Sequence, residues 1–430
     1  MNILVLGGGG REHAMAWAFA QNPKCDRIWV APGNAGIAVD AECVPLDILD
    51  GEKVLAFARE QGVDFVAIGP EAPLAEGVAD VLRGGGLLTL GPGRAAARLE
   101  ASKAFAKEVC AACGAPTAAS QTFTDPDAAR AFVAREGAPI VVKADGLAAG
   151  KGVTVAETET EAEAALDAIF AAGPGARVVV EEMMTGEEAS LFVLADGETC
   201  LPIGTAQDHK RALEGDRGPM TGGMGAYSPA PVMTPEVTGA AIAQIVRPTL
   251  VEMARRGTPY QGVLYAGLMI EAGRPRLVEY NVRLGDPEAQ VLALRLGGQL
   301  LDACLACADG SLSDAHMSFA DDHALCVVLA ARGYPGGYAR GERIGLPTMS
   351  DPRVRFFHAA TRAEGGGLVS DGGRVLNAAA RGGSLAEARE LAYAAADRVD
   401  WPGGAFRRDI GWRALKKAPA LAGTRAPGDG

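Results

Sequence analysis

Strand, glycine turn and helix follow one another from the first residues of this 430-residue chain, and that alternation limits its fold more than any other feature. The apolar run Asn2-Ile3-Leu4-Val5-Leu6 passes into Gly7-Gly8-Gly9-Gly10-Arg11-Glu12-His13 and then into a helical pattern from Glu12 to Gln21. Further strands are read at 27–30, 65–68 and 87–90, with helices at 54–61 and 77–83. Such alternation predicts a small parallel α/β sheet. In open α/β sheets ligands bind beyond the carboxyl ends of the strands. The loops Gly7 to His13, Pro32-Gly33-Asn34-Ala35-Gly36 and Gly69-Pro70-Glu71 therefore converge on one candidate site.

The opening glycine run has the outline of a dinucleotide fingerprint. Glu12 stands where the third glycine belongs, however, and the second strand ends in Ala31-Pro32 instead of an acid, which argues against NAD. Two readings stay open: a helix N-terminus that, with Arg11, suits a phosphate monoester, or a tight turn.

The length calls for two or three domains, and the 48% apolar composition supports substantial cores. No run approaches the roughly 18 apolar residues of a membrane span, and no cationic leader precedes the first strand, so a cytoplasmic protein is expected. A net charge of −12 repels nucleic acid and anionic membranes, so an anionic ligand needs a local basic pocket. The spacings Cys110-x-x-Cys113 and Cys304-x-x-Cys307 imitate a split zinc site, but both fall in apolar helical runs without a knuckle glycine. Reduced core thiols are the expectation.

Around Pro116 to Asp127 the pattern breaks as in a linker. A β-α-β block follows, with strands at 140–143, 153–156 and 177–182 and a helix at 159–172, short enough to act as a mobile lid. Within it, Ile140-Val141-Val142-Lys143-Ala144-Asp145-Gly146-Leu147-Ala148-Ala149-Gly150-Lys151-Gly152-Val153 sets two lysines about glycines that allow close backbone approach to an anion. A Walker A loop is excluded by three residues between the glycines and by Gly152 after the lysine, and the remaining alternative is a solvated turn. Past the strand, Glu181-Glu182-Met183-Met184 offers backbone groups to adenine and Glu188 a carboxylate to ribose hydroxyls, although acidic loops are commonly solvated faces.

The segment from Asp208 to Tyr227 reads as a polar, glycine-rich substrate loop. A long helix from Pro235 to Arg256, paired strands at 262–271 and 276–281, and a helix from Glu288 follow. A third region runs from about His323 to Trp412, and the tail from Lys416 is expected to fray. Glu279 and Asn281 are i, i+2 on a strand, so two hard oxygen ligands share a face and suit Mg²⁺ completed by nucleotide phosphates. Arg283 joins that face if the strand persists, placed to meet a transferring phosphoryl group.

Together these runs resemble the glycinamide ribonucleotide synthetases of the ATP-grasp superfamily. The likeness extends from Gly8-Gly9-Gly10-Arg11-Glu12-His13-Ala14 through Pro32 to Gly36, Gly69 to Leu74, Ser102 to Phe105, the Lys143 to Val153 clamp and Asp208-His209-Lys210-Arg211. It continues in Thr221 to Pro229, in Glu279 to Glu288 and in Arg408-Asp409-Ile410-Gly411. The resemblance implies an α/β and α+β multidomain chain: an N-terminal parallel α/β domain over 1–101, an ATP-grasp core over 102–327 with a lid at about 122–188, and a C-terminal α+β domain over 328–425. It implies ATP with Mg²⁺ or Mn²⁺, and glycine and 5-phosphoribosylamine as substrates, and a monomer without nucleic-acid or membrane partners is expected. By resemblance Lys103, Lys143 and Lys151 face the phosphates, Glu181, Glu182, Met184 and Glu188 the adenosine, and Glu279 and Asn281 the metal. Asp208, Lys210, Arg283 and Asp286 are placed for glycine and the amine. Leu284, Met220 and Gly93 depart from the family's usual Phe, Asn and Ser, and Gly267 stands where related enzymes carry a second acidic metal ligand. His209 is open to a proton-shuttle or a structural role. The rivals are a sister ATP-grasp carboxylase or transformylase and a non-catalytic nucleotide sensor, which has no need of Glu279, Asn281 and Arg283 together.

Overall fold

The computed structural model describes residues 1–147 and 152–417. Asn2–Gly7, Arg27–Pro32, Phe65–Ile68 and Leu88–Leu90 form the expected parallel sheet, joined at one edge by the two-residue strand Glu42–Cys43. Alternation explains its burial on both faces. Leu4 and Leu6 pack with Val54, Ala58 and Leu82 on one side, while Ile3 and Val5 pack with Met15, Phe19 and Leu300 on the other.

A second, antiparallel sheet of nine strands runs through the middle and C-terminal regions. Its central run is Arg274–Asn281, Gln261–Glu271, Glu187–Asp196, Cys200–Asp208, Gly225–Ser228, His323–Ala331, Arg374–Gly382 and Val354–His358. The short strand Gly225–Ser228 pairs with Gln207 and Asp208 on one side and with 324–327 on the other. The third region is therefore hydrogen-bonded into the same sheet as Arg274–Asn281, and the helix Leu385–Ala396 covers its far end.

The block expected to act as a lid is a four-stranded sheet, Ser120–Phe123, Val178–Glu182, Ile140–Ala144 and Val153–Ala156, with its own core under the helices Pro126–Glu136 and Glu159–Phe170. Residues 120–123 were expected to be linker. They are an edge strand on which only Phe123 is buried, so no apolar alternation announces it. Two further expectations change. The 208–227 loop holds a small ladder, Arg211–Leu213 with Arg217–Met220, besides Gly225–Ser228. The helix expected over 235–256 is interrupted by a π turn at Ile242–Val246, just before Pro248, which has no N–H to donate back into the helix.

Cys110 and Cys113 lie on the helix Lys103–Cys113, and Cys304 and Cys307 on Gln299–Asp309; of these only Cys113 is not fully buried. Among the described residues no single helix is long and apolar enough to cross a membrane.

Candidate active site

One cavity of about 1290 Å³ is bounded by the N-terminal loops, the lid, the sheet edge at 277–288 and, from the C-terminal region, Tyr334 and Arg374. Lys103, Lys143, Glu181, Glu182, Met184, Glu188, Asp208, Lys210, Glu279, Asn281, Arg283 and Asp286 all line it. Lys151 lies outside the described residues, as does most of the tail expected to fray.

The lid side is cationic. Ser102 caps the helix Lys103–Cys113 by accepting the Phe105 N–H, which sets Lys103 at the cavity, where its Nζ donates to the Gly146 carbonyl at 2.9 Å. Lys143 Nζ lies 2.9 Å from Glu181 and donates to the Val278 carbonyl at 3.3 Å. Glu181 also faces Lys107 at 3.3 Å. Sequence reasoning missed Lys107, although its i, i+4 spacing from Lys103 was a signal that both share a helix face. Burial lowers the pKa values of Lys103 and Lys107, as expected of ammonium groups short of countercharge.

Both Glu181 and Glu182, expected beside the adenosine, have side chains engaged within the protein. The Glu181 carboxylate is buried between the two lysines. That of Glu182 pairs with Arg276 and accepts the Ala119 N–H at 2.9 Å, while the Glu182 N–H donates to the Ala119 carbonyl. The Glu182 N–H is thus engaged within the protein, and Met183 and Met184 follow the end of the strand along the cavity wall.

The opposite side carries the acids. Glu279 and Asn281 lie near the end of Arg274–Asn281, paired in register with Gly267 and Tyr265. A Cβ at Gly267 would lie 3.4 Å from Glu279 Cγ, an ordinary contact, so the backbone has room there for a side chain and the glycine leaves Glu279 and Asn281 as the oxygen donors of this pair of strands. Burial pushes the Glu279 pKa up, but Lys210, Lys143 and Lys103 outweigh it and hold the carboxyl below its ordinary range. Burial likewise opposes the Lys210 ammonium, and Glu188, an ion-pair partner, together with Glu279 at 3.6 Å holds its pKa well above the usual value. No group of three or more His, Cys, Asp or Glu side chains suited to a metal occurs among the described residues. The two hard oxygen donors fit a divalent cation that takes its remaining ligands from phosphates and water.

Arg283 does not continue the strand face. The strand ends at Asn281, and the guanidinium is held by Glu71 at 3.0 Å and Glu100 at 2.6 Å. Asp208 is close enough to Glu288 for the two carboxylates to repel; burial first and Glu288 second push its pKa well above the ordinary carboxylate range. Glu288 in turn accepts the Tyr265 hydroxyl at 3.0 Å. Asp286 accepts the Arg11 N–H at 3.2 Å and lies 3.4 Å from Arg374. Arg374 also donates to the carbonyls of Gly222, Gly223 and Asp286, a role no local pattern announced.

The first helix N-terminus is answered too. Glu12 accepts the Gly9 N–H at 2.7 Å and pairs with Arg11 at 2.6 Å, so with Asp286 two carboxylates already satisfy amides there. The tight-turn reading accounts for this geometry. His209 Nδ1 donates to the Gly225 carbonyl and Nε2 accepts the Gly411 N–H, each at 3.1 Å. With both ring nitrogens engaged by backbone, its role is structural.

Sequence models of the phosphoribosylglycinamide synthetase family match the chain in order: the N domain over 1–100, the ATP-grasp (A) domain over 101–289 and the C domain over 324–413. The phosphoribosylamine–glycine ligase of Mesorhizobium japonicum is 54% identical over 424 residues, covering 98% of this chain and 100% of that one. That of Vibrio cholerae is 49% identical over 428 residues, with the same coverage of 98% and 100%. The crystal structure of the Thermotoga maritima phosphoribosylamine–glycine ligase superposes with a TM-score of 0.84 at 34% identity, over 95% of this chain and 100% of that one. The biotin carboxylase domain of the Hydrogenobacter thermophilus 2-oxoglutarate carboxylase, solved with MgADP and bicarbonate, shares the fold at a TM-score of 0.68 and 19% identity, over 94% and 91% of the two chains.

Proposed function

The chain belongs to the phosphoribosylglycinamide synthetase family and joins glycine to phosphoribosylamine with ATP in purine biosynthesis, and we propose that it does so through glycyl phosphate. What carries the reading is the meeting of a lysine-lined half with the Glu279 and Asn281 half in one cavity onto which the N-terminal loops also open.

In this reading Lys103, Lys143 and Lys151 hold the phosphates of ATP. Glu188 takes the ribose, and the Glu181, Glu182 and Met184 segment flanks the adenosine. Glu279 and Asn281 hold Mg²⁺ or Mn²⁺, which when bound offsets phosphate charge near the reacting carboxylate. Lys210 orients the glycine carboxylate, and Asp208 and Asp286 receive the amino groups. A glycine carboxylate oxygen attacks the γ-phosphorus, the bond to the bridging oxygen breaks, and ADP departs with its electrons. Arg283 faces the charge on the phosphoryl group in flight. The amine of phosphoribosylamine then attacks the activated carbonyl carbon, inorganic phosphate leaves with the former carboxylate oxygen, and the nitrogen releases a proton. Closure of the lid shields the acyl phosphate from water.

The acidic chain is proposed to work as a cytoplasmic monomer. Glycine labelled with ¹⁸O in its carboxylate tests the intermediate. Label transferred to inorganic phosphate is the expected result; unlabelled phosphate beside formed product rules glycyl phosphate out.

A further inference from the structure

We infer that Glu71 is a positioning residue that withholds Arg283 from the nucleotide until the second substrate fills the N-terminal loops; this rests on the reading of the site given above. The guanidinium is engaged at each of its nitrogens: Nε with Glu71 at 3.0 Å, Nη2 with Glu100 at 2.6 Å, and Nη1 with the Leu284 carbonyl at 3.2 Å. Its charge is answered by two carboxylates, which the Arg11 guanidinium also faces, so little of it is presented to an approaching phosphoryl group.

The two carboxylates are not equivalent. The Glu100 side chain is 9% exposed, and its other oxygen accepts the Val282 N–H at 2.7 Å, so both oxygens are fixed. The Glu71 side chain is 29% exposed, lines the cavity, and opens the helix Glu71–Ala75 just past the parallel strand Phe65–Ile68. It reaches Arg283 from the first domain. Arg11, from another strand-end loop, holds the same segment through the Leu284 carbonyl at 3.2 Å and Asp286. Two loops at the carboxyl ends of the parallel sheet thus grip the residues that position the arginine.

A ribose phosphate seated over those strand ends presents hydroxyl donors to a carboxylate. A hydroxyl that takes Glu71 frees one edge of the guanidinium, while Glu100 keeps it in place. The arrangement has a chemical purpose. Glycyl phosphate made before the amine arrives is attacked by water at its carbonyl carbon; phosphate leaves, glycine is regenerated, and the net reaction is ATP hydrolysis. Withholding Arg283 suppresses that loss.

Ribose 5-phosphate, which has the hydroxyls and phosphate but no amine, is the probe. With ATP and glycine it raises ADP formation by the wild-type protein roughly fivefold or more over glycine alone. Glu71→Gln forms ADP with glycine alone about tenfold faster than the wild type and no longer responds to ribose 5-phosphate, whereas Glu100→Gln is slower under every condition. A wild-type protein indifferent to ribose 5-phosphate overturns the inference, as does a Glu71→Gln protein that still responds to it. A wild-type protein forming no ADP with glycine and phosphoribosylamine together overturns the parent reading, and this inference with it.

Discussion

Replacing Glu181 by Gln removes the one negative charge between Lys143 and Lys107 while keeping its shape. At 2.9 and 3.3 Å and an effective dielectric near 20, the two attractions amount to about 6 and 5 kcal/mol. Relief of the carboxylate's own burial returns several kcal/mol, and breaking one side of a buried pair nets about 3–5 kcal/mol. We take about 3 kcal/mol, because Lys143 keeps the Val278 carbonyl. At 1.36 kcal/mol per tenfold, amide exchange in the lid strands Ile140–Ala144 and Val178–Glu182 should quicken about 100-fold without nucleotide. Phosphates supply the missing countercharge, so saturating MgADP should narrow the difference to under about 10-fold, since nucleotide now stabilises the variant more than the wild type. Hydrogen exchange read by mass spectrometry resolves both values. Equal slowing of both proteins by MgADP would refute the assignment of Lys143 to the phosphates.

Three other outcomes follow from the geometry. Arg283→Lys keeps the charge but loses the fork shared by Glu71 and Glu100, and kcat should fall by at least about 100-fold with ATP binding retained, measured by steady-state assay beside nucleotide titration. Gly223 has φ +112°, and a Cβ there would stand 2.5 Å from Pro287 Cδ and 2.6 Å from Asp208 Oδ1; Gly223→Ala should raise the glycine KM more than about 10-fold, and an unchanged KM would separate Asp208 from glycine binding. Burial depresses the pKa of His209 to about 4 and that of His358 to about 3, against an ordinary 6.5 for His209. The unfolded chain therefore binds more protons below pH 6.5, and stability is lost as pH falls from there toward 4, by about 3 kcal/mol for His209. Urea midpoints across that range should decline, and His209→Gln, if folded, should flatten the decline.

Strands with apolar side chains on both faces, such as Asn2–Gly7, were legible because burial on two sides leaves no polar position. The strands missed, Ser120–Phe123 and Arg217–Met220, are mainly exposed, so their sequences carry turn-like polarity while backbone pairing alone holds them. In the site, residues clustered in local runs, such as Glu279 and Asn281, could be found by spacing. Glu100 and Arg374 could not. Each acts on a segment more than eighty residues away, Glu100 on Arg283 and Arg374 on Asp286, through contacts only the tertiary fold creates. The turn of Arg283 away from the strand face has the same origin: its direction is set by carboxylates on other elements, not by strand alternation.

The antiparallel ladder that crosses Gly225–Ser228 into His323–Ala331 makes the C-terminal region part of the same hydrogen-bonded fabric as the strands that carry Glu188 and Glu279. Severing the chain between 310 and 322 would leave each fragment with a raw strand edge, a template for self-association. The two pieces should therefore recover activity only when produced together, zipping along that seam, and any recombination that exchanges the last domain has to preserve the pairing of Ala226 with Cys326.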